Sequence, residues 1–370
     1  MLAQFQQKCA ALLRPELRKN KGLERFRVSV KDGNALGRLR LFSVFILGFL
    51  TTSPAFTAGR QAVEPVEISV RQITQFHIGR DERKFGPLEF VGGLEMTGSL
   101  RDFGALSAFR FLNPGSDFIG VTDTGFWYFG SIARMAQGQP FAIFNFTMQQ
   151  MVDEAGQPID KKWEVDAEGL NVKDGIATVG FERNHRVAQF RIDPAGMKAP
   201  FKLLDFVVPE NELRRNRGFE TVTRAPVDGP LKGALVVVSE KSLDKDGNIY
   251  AAVIEGPGKG IFTVKRNGEF DITDGAFLPG GDLLLLERSF SMAGGVKMRL
   301  RRIAGAEIAR GKIADGAVLL EADMAYQIDN MEGMDVWRRE DGKLIVSLVS
   351  DDNHSILQRN LYLEFILTED

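Results

Sequence analysis

Short apolar runs, broken by polar turns, recur down this chain at a nearly constant interval. They include FIGV at 118–121, IATVGF at 176–181, LVVV at 235–238, LLLL at 283–286 and LIVSLV at 344–349. Each run closes a unit that opens with a polar-to-apolar step, often Glu-Gly-hydrophobic, and ends in a carboxylate or a charged cluster. The units begin at Leu106, Glu168, Glu220, Asp274 and Glu332, with spacings of 62, 52, 54 and 58 residues. Apolar runs of this length between Gly, Pro, Asn and Asp predict strands. A few strands per repeat of this period predict propeller blades. The expected fold is therefore all-β, a β-propeller.

The ends of the chain are strand-like as well: 66–78 (VEISVRQITQFHI), 88–96 (LEFVGGLEM) and 360–367 (NLYLEFIL). In a closed propeller a strand from one terminus completes the blade begun at the other, which hides two edges that would invite aggregation. The termini are expected to pair. Counting the terminal material as one blade gives six, and a degenerate copy inside a long insert would give seven. The best helical candidate, 131–156, is broken by Gly138 and Pro140. No composition break after residue 64 divides the rest, so residues 59–370 read as one domain.

Residues 1–58 differ. An uncharged apolar run at 41–50 (LFSVFILGFL) follows Arg38 and Arg40 and precedes small residues up to Ala58. That is the pattern of a cleaved secretory signal, with Ala55 or Ala58 as the cleavage residue. The run is far short of the roughly 20 apolar residues a membrane span needs, so no stable span is expected after cleavage. The chain would be periplasmic or secreted. Without the leader it keeps 37 basic and 46 acidic residues, a net charge of −9. That excess argues against a nucleic-acid surface and favours cations as ligands. Cys9 is the only cysteine and lies in the leader, so the mature chain can build neither a disulfide nor a thiolate metal site. With 44% hydrophobic residues, the composition leaves ample material for a core. A monomer is expected.

The candidate chemistry lies in acids that repeat with the units. One set opens them: Glu168, Glu220, Asp274 and Glu332. A second closes their apolar strands: Asp123, Glu182, Glu240, Glu287 and Asp351, the last beside Asp352. Inner strands of a propeller line its central channel, so equivalent acids converge at the channel mouth, where like charges raise one another's pKa unless a cation intervenes. Hard oxygen donors in this number suit Ca²⁺. The expected metal ligands are Asp123, Glu168, Glu220, Glu287, Glu332 and Asp351. Arg183, Lys241 and Arg288 follow strand-closing acids and would clamp a small anionic substrate such as a phosphate ester. Glu168 or Glu332 would act as general base. His185 and His354, just past closing clusters, are candidate proton shuttles. The bland alternative for each acid is a turn cap that accepts backbone N–H groups. Trp127 and Trp337 are expected to pack between blades. No G-x-S-x-G elbow or P-loop occurs.

As a set, FRFL…FIGVTDTG, DAEGL, RGFE, LLLLERSFS and NMEGMDVWR…LIVSLVSDDNHSILQRNLYLEF resemble the phytase-like family of exported bacterial proteins, often described as having esterase-like activity. The resemblance covers about 64–369. It implies a propeller and a phosphoester or ester hydrolase, and more distantly calcium. The third copy departs from the family's Glu-Gly step by placing Thr221 after Glu220. Three functions stay open: metal-assisted phosphoester hydrolysis, carboxyl-ester or lactone hydrolysis at the same site, and a non-catalytic binding or scaffold propeller.

Overall fold

The computed structural model describes residues 63–214 and 217–368, which belong to one unit. The leader expected at 1–58 lies outside these residues. Each repeat folds into an antiparallel sheet. Blade 1 runs outward through Leu106–Phe111, Asp117–Thr122, Phe126–Arg134 and Pro140–Gln150. Blade 2 is Ala167–Lys173, Ile176–Phe181, Arg186–Arg191 and the short Lys202–Leu204. Blade 3 is Phe219–Arg224, Leu235–Leu243, Ile249–Glu255 and Gly260–Val264, with Ile313–Ala314 added in parallel at its outer edge. Blade 4 is Asp271–Phe277, Leu283–Ser291, Gly295–Ile303 and Gly316–Ala322. Blade 5 is Asn330–Arg338, Leu344–Asp351, Asn360–Leu367 and then Leu88–Gly98 and Ile68–Ile73 from the other end of the chain.

The propeller therefore has five blades, not the six or seven expected. The terminal strands pair, from Leu367 with Leu88 to Asn360 with Met96, but they make no blade of their own. The Glu332 repeat supplies only three strands, and the N-terminal strands fill the positions it leaves open.

The continuous apolar runs follow from this packing. A blade is covered on both faces by its neighbours, so both faces of each second strand must be apolar. Leu235 and Val237 pack toward blade 2, whereas Val236 and Val238 pack toward blade 4. Leu283 and Leu285 pack toward blade 3, and Leu284 and Leu286 toward blade 5. Trp127 lies in the core between blades 1 and 2, edge-on to Phe190. Trp337 packs edge-on to Phe111 of blade 1 and donates its indole N–H to Ser347 Oγ at 2.9 Å.

Every inner strand also carries a β-bulge near its start. The residue without a cross-strand partner is Ser107, Glu168, Glu220, Thr273 and Glu332 in blades 1 to 5. A bulge re-aims the extra side chain, in blades 1, 2, 3 and 5 toward the channel mouth. Close packing of the inner strands explains the Glu-Gly step. A Cβ on Gly169 would come 2.8 Å from the Glu220 carbonyl, and one on Gly333 would come 2.6 Å from Val349 Cγ2. Blade 3 tolerates Thr221 because its methyl group rests over a glycine of blade 4. A Cβ on Gly275 would meet Thr221 Cγ2 at 2.9 Å.

Blades 1 and 4 are not neighbours in the ring, yet Arg110 joins them. Its guanidinium donates to both oxygens of Asp274, at 2.7 and 2.8 Å, and to the Gly275 and Met334 carbonyls. Asp274 accepts in turn from the Gly275 and Met334 N–H groups. Both side chains are buried, so the pair ties three blades together across the axis. Burial raises the Asp274 carboxyl, and Arg110 opposes that rise. Removing one partner of a buried pair strands the other charge, at a cost of about 3–5 kcal/mol. Arg110→Met should lose about that much in denaturant titrations at pH 8. The loss should shrink at pH 5, where Asp274 can keep a proton. Equal losses at both pH values would show that the pair is not what Arg110 contributes.

Candidate metal centre at the channel mouth

Four of the five bulged residues, and the second-strand residues one place past the pairs that flank each bulge, meet at one end of the axis. There they line a cavity of about 210 Å³. The bulges give Ser107, Glu168, Glu220 and Glu332; the strand ends give Asp123, Glu182, Glu240, Arg288 and Asp351. Asp166, Arg183, Arg217, Asn353 and Lys162, the last from the short helix Lys162–Val165, complete the lining. Among the described residues, eight carboxylates face four cationic side chains.

Blade 4 breaks the pattern. Its bulged residue is Thr273, so Asp274, which the sequence aligns with the three glutamates, sits one place further on and faces Arg110. Across the sheet Ile272 pairs with Glu287. The next residue, Arg288, therefore takes the place that Asp123, Glu182, Glu240 and Asp351 hold in the other blades. A shift of one residue turns a side chain to the opposite face. Glu287 accordingly points into blade 4, where Arg301 Nε donates to it at 2.7 Å. It lies outside the cavity.

The neighbouring contacts leave the acids short of partners. Arg288 lies 3.1 Å from Glu332 and 3.4 Å from Glu240, and also donates to Asn330. Arg217 pairs with Glu240 and Arg183 with Asp166, each at 2.5 Å. Lys162 pairs with Asp123, whose second oxygen has no partner. Glu182 accepts the Gly218 N–H at 2.7 Å, Glu332 the Asn330 amide at 2.8 Å, and Asp351 the Asn353 N–H at 2.6 Å. One carboxylate oxygen each from Glu182, Glu220 and Glu240 lie within 4.8 Å of one another, as do those of Asp166, Glu168 and Glu182.

Burial and mutual repulsion show in the proton affinities. Burial first, then Glu240 and Asp166, pushes Glu182 up to about 7 against the Gly218 hydrogen bond. Glu332 rises to about 8, chiefly through burial, with Arg288 opposing. Asp351 rises to about 7, again chiefly through burial. Glu168 and Glu220 are raised well above the carboxylate range by burial and by the surrounding acids.

The structure thus brings together Asp123, Glu168, Glu220, Glu332, Asp351, Arg183 and Arg288. Besides Glu287, it places three candidates elsewhere. Lys241 turns away from the cavity to Asp271 at 2.9 Å. His185 is half-buried against Gly218, its Nδ1 unpartnered, and does not line the cavity. His354 is exposed and lines a separate groove with Arg101 and Arg359. Sequence reasoning missed Asp166, Lys162 and Arg217. Asp166 stands two residues before Glu168, the spacing at which extended-chain side chains share a side, and that was its only signal.

The phytase-like family, described as "Esterase-like activity of phytase", matches residues 101–354. The chain belongs to this family. No curated protein matches it. Among solved structures, an endo-arabinase from Bacteroides thetaiotaomicron is 12% identical, with a TM-score of 0.45 over 73% of this chain and 96% of the other. A bifunctional GH43-CE protein of Bacteroides eggerthii is 13% identical, with a TM-score of 0.37 over 70% and 33%. The WD40 domain of Toxoplasma gondii coronin is 8% identical, with a TM-score of 0.31 over 84% and 88%. Likenesses this remote carry nothing about chemistry. Among the described residues, no helix is long and apolar enough to cross a membrane.

The buried acids of this phytase-like propeller could hold a metal ion. Every candidate ligand is a carboxylate, with no histidine among the lining residues, and that donor set fits a hard divalent cation. Carboxyls raised on folding also fix the sign of the pH dependence. The folded protein holds protons that the unfolded chain releases near pH 4 to 4.5, so stability falls as pH rises through about 7 to 8. In chelator the melting temperature should drop between pH 5 and pH 8.5, and millimolar Ca²⁺ should restore it most at the upper end. A melting temperature that rises with pH in chelator would contradict this arrangement.

Proposed function

We propose that this protein is a metal-assisted hydrolase of phosphate esters, with the acid-lined channel mouth as its active site and Ca²⁺ as the cation. The carrying observation is the two groups of three carboxylates that share Glu182, with guanidinium groups beside them. Glu182, Glu220 and Glu240 would hold one cation, and Asp166, Glu168 and Glu182 a second. Cations there supply charge neutralisation and an acidified, oriented water.

The protein's own groups then have distinct tasks. Arg183 and Arg217 are half-paired to single acids at the cavity edge, and their free N–H groups suit phosphate oxygens. Arg288, from the one blade with a cation at this position, sets the charge asymmetry of the pocket. It also holds Glu332 ready for proton transfer. A carboxyl that titrates near 8 is poised to move a proton close to neutral pH. The leader at 1–58 supports an exported protein.

Purified protein should release phosphate from phytate or nitrophenyl phosphate in Ca²⁺, and chelator should abolish turnover. Glu220→Gln and Glu332→Gln should each lower kcat by about 10²-fold or more, the scale of lost acid–base or electrostatic assistance, while the fold survives. Hydrolysis of nitrophenyl acetate without phosphate release would transfer the activity to carboxyl esters. Retained Ca²⁺ binding without turnover of either substrate would leave a binding propeller.

A further inference from the structure

A second cavity, about 430 Å³, opens on the outer side of blade 2. Its chemistry is the reverse of the channel mouth. Trp163, Phe181, Phe190, Phe201 and Leu203 wall it, and the Arg186 guanidinium lies among them. Lys202, paired with Glu255 at 3.4 Å, also lines it, and Arg191 lies over the Phe201 ring at 5.0 Å. Trp163, Phe201 and Leu203 remain 50%, 46% and 64% exposed. The opening exists because the outer strand here, Lys202–Leu204, is three residues long, against eleven in blade 1.

Arg186 is unusual in this molecule. The buried guanidiniums of Arg110 and Arg301 each meet a carboxylate. Arg186 has no ion pair among the described residues. It donates to the Asn184 and Glu164 main-chain carbonyls and lies 3.8 Å above the Phe181 ring. Burial lowers its pKa to about 10, eased only by Glu164. The acids nearby are engaged or remote from it: Lys161 holds Glu164 at 3.1 Å, Asp153 caps its own turn through the Ala155 and Gln157 N–H groups, and Glu154 stands exposed at the rim. A cation that lacks a counter-charge, set among exposed aromatic rings, matches a ligand that brings an anion on an apolar body.

We propose that this pocket binds a small amphiphilic organic anion, its carboxylate on Arg186 and its apolar part against Trp163, Phe201 and Leu203. The site is separate from the channel mouth. The wall between them is the helix Lys162–Val165 and the turn after Phe181. Lys162, Asp166 and Arg183 face the acidic cavity, and Trp163, Val165 and Asn184 face this one.

The probe pair is 4-phenylbutyrate and its neutral amide, titrated into the full chain by calorimetry and by tryptophan fluorescence. Trp163 is the one exposed indole of three, since Trp127 and Trp337 are buried. The carboxylate should bind about tenfold or more tighter than the amide, as a charge-assisted hydrogen bond implies. It should also change Trp163 emission. Arg186→Met, which keeps the apolar volume, should abolish that preference, and Leu203→Ser at the exposed rim should weaken both probes. Trp163→Phe should remove the fluorescence change without removing the calorimetric signal. Absence of binding, equal affinity for both probes, or a preference that survives Arg186→Met would overturn the proposal. If Arg186→Met fails to fold, a Leu203→Ser chain that binds the carboxylate unchanged would overturn it equally. None of these readouts depends on hydrolysis at the channel mouth.

Discussion

Repulsion between carboxylates crowded at one end of the propeller axis is the constraint on which the rest turns. Five inner strands close a ring, each bulged at the same place, and three of the bulges aim a glutamate inward. The strand ends add four more acids. Among the described residues four cations face eight carboxylates, Asp166 being the eighth, and burial together with this imbalance raises the proton affinity of Glu182, Glu332 and Asp351. A divalent cation is the natural replacement for the protons they hold.

The fold can carry this strain because it is secured elsewhere. Each blade is sandwiched between two apolar cores, the terminal strands close the ring, and the Arg110–Asp274 pair bridges non-adjacent blades. Blade 4 has a double part. It gives up its acids at the mouth, where it offers only Arg288, turns Thr273 to the Met331 carbonyl, and uses Asp274 and Glu287 for pairs with Arg110 and Arg301 instead. The result is a pocket in which one blade puts a guanidinium where the other four put an acid, rather than a symmetric acidic ring.

The sequence made the blades legible because a second strand buried on both faces must be apolar throughout, as in LVVV and LLLL. Blade number was harder. The last blade is assembled from both ends of the chain, and terminal strands carry no mark of the sheet they join. The convergence of acids was legible wherever bulge and strand end kept register, as at Glu168, Glu220 and Glu332. It failed at Asp274 and Glu287, where a one-residue offset exchanges the two faces of the sheet. Lys241 illustrates the same alternation: it follows a cavity-facing Glu240 and therefore turns away. Asp166 and Arg217 come from connections outside the repeat, where no period reveals them.

The central claim is that protons at the channel mouth hold the place of a cation. Calcium titration at pH 7, followed by calorimetry in two buffers of different ionisation enthalpy, measures this directly. The account expects tight binding with heats that differ between the buffers, because protons leave as Ca²⁺ enters, and expects Glu220→Gln to weaken both effects. Binding with identical heats in the two buffers, or no binding at all, would contradict it.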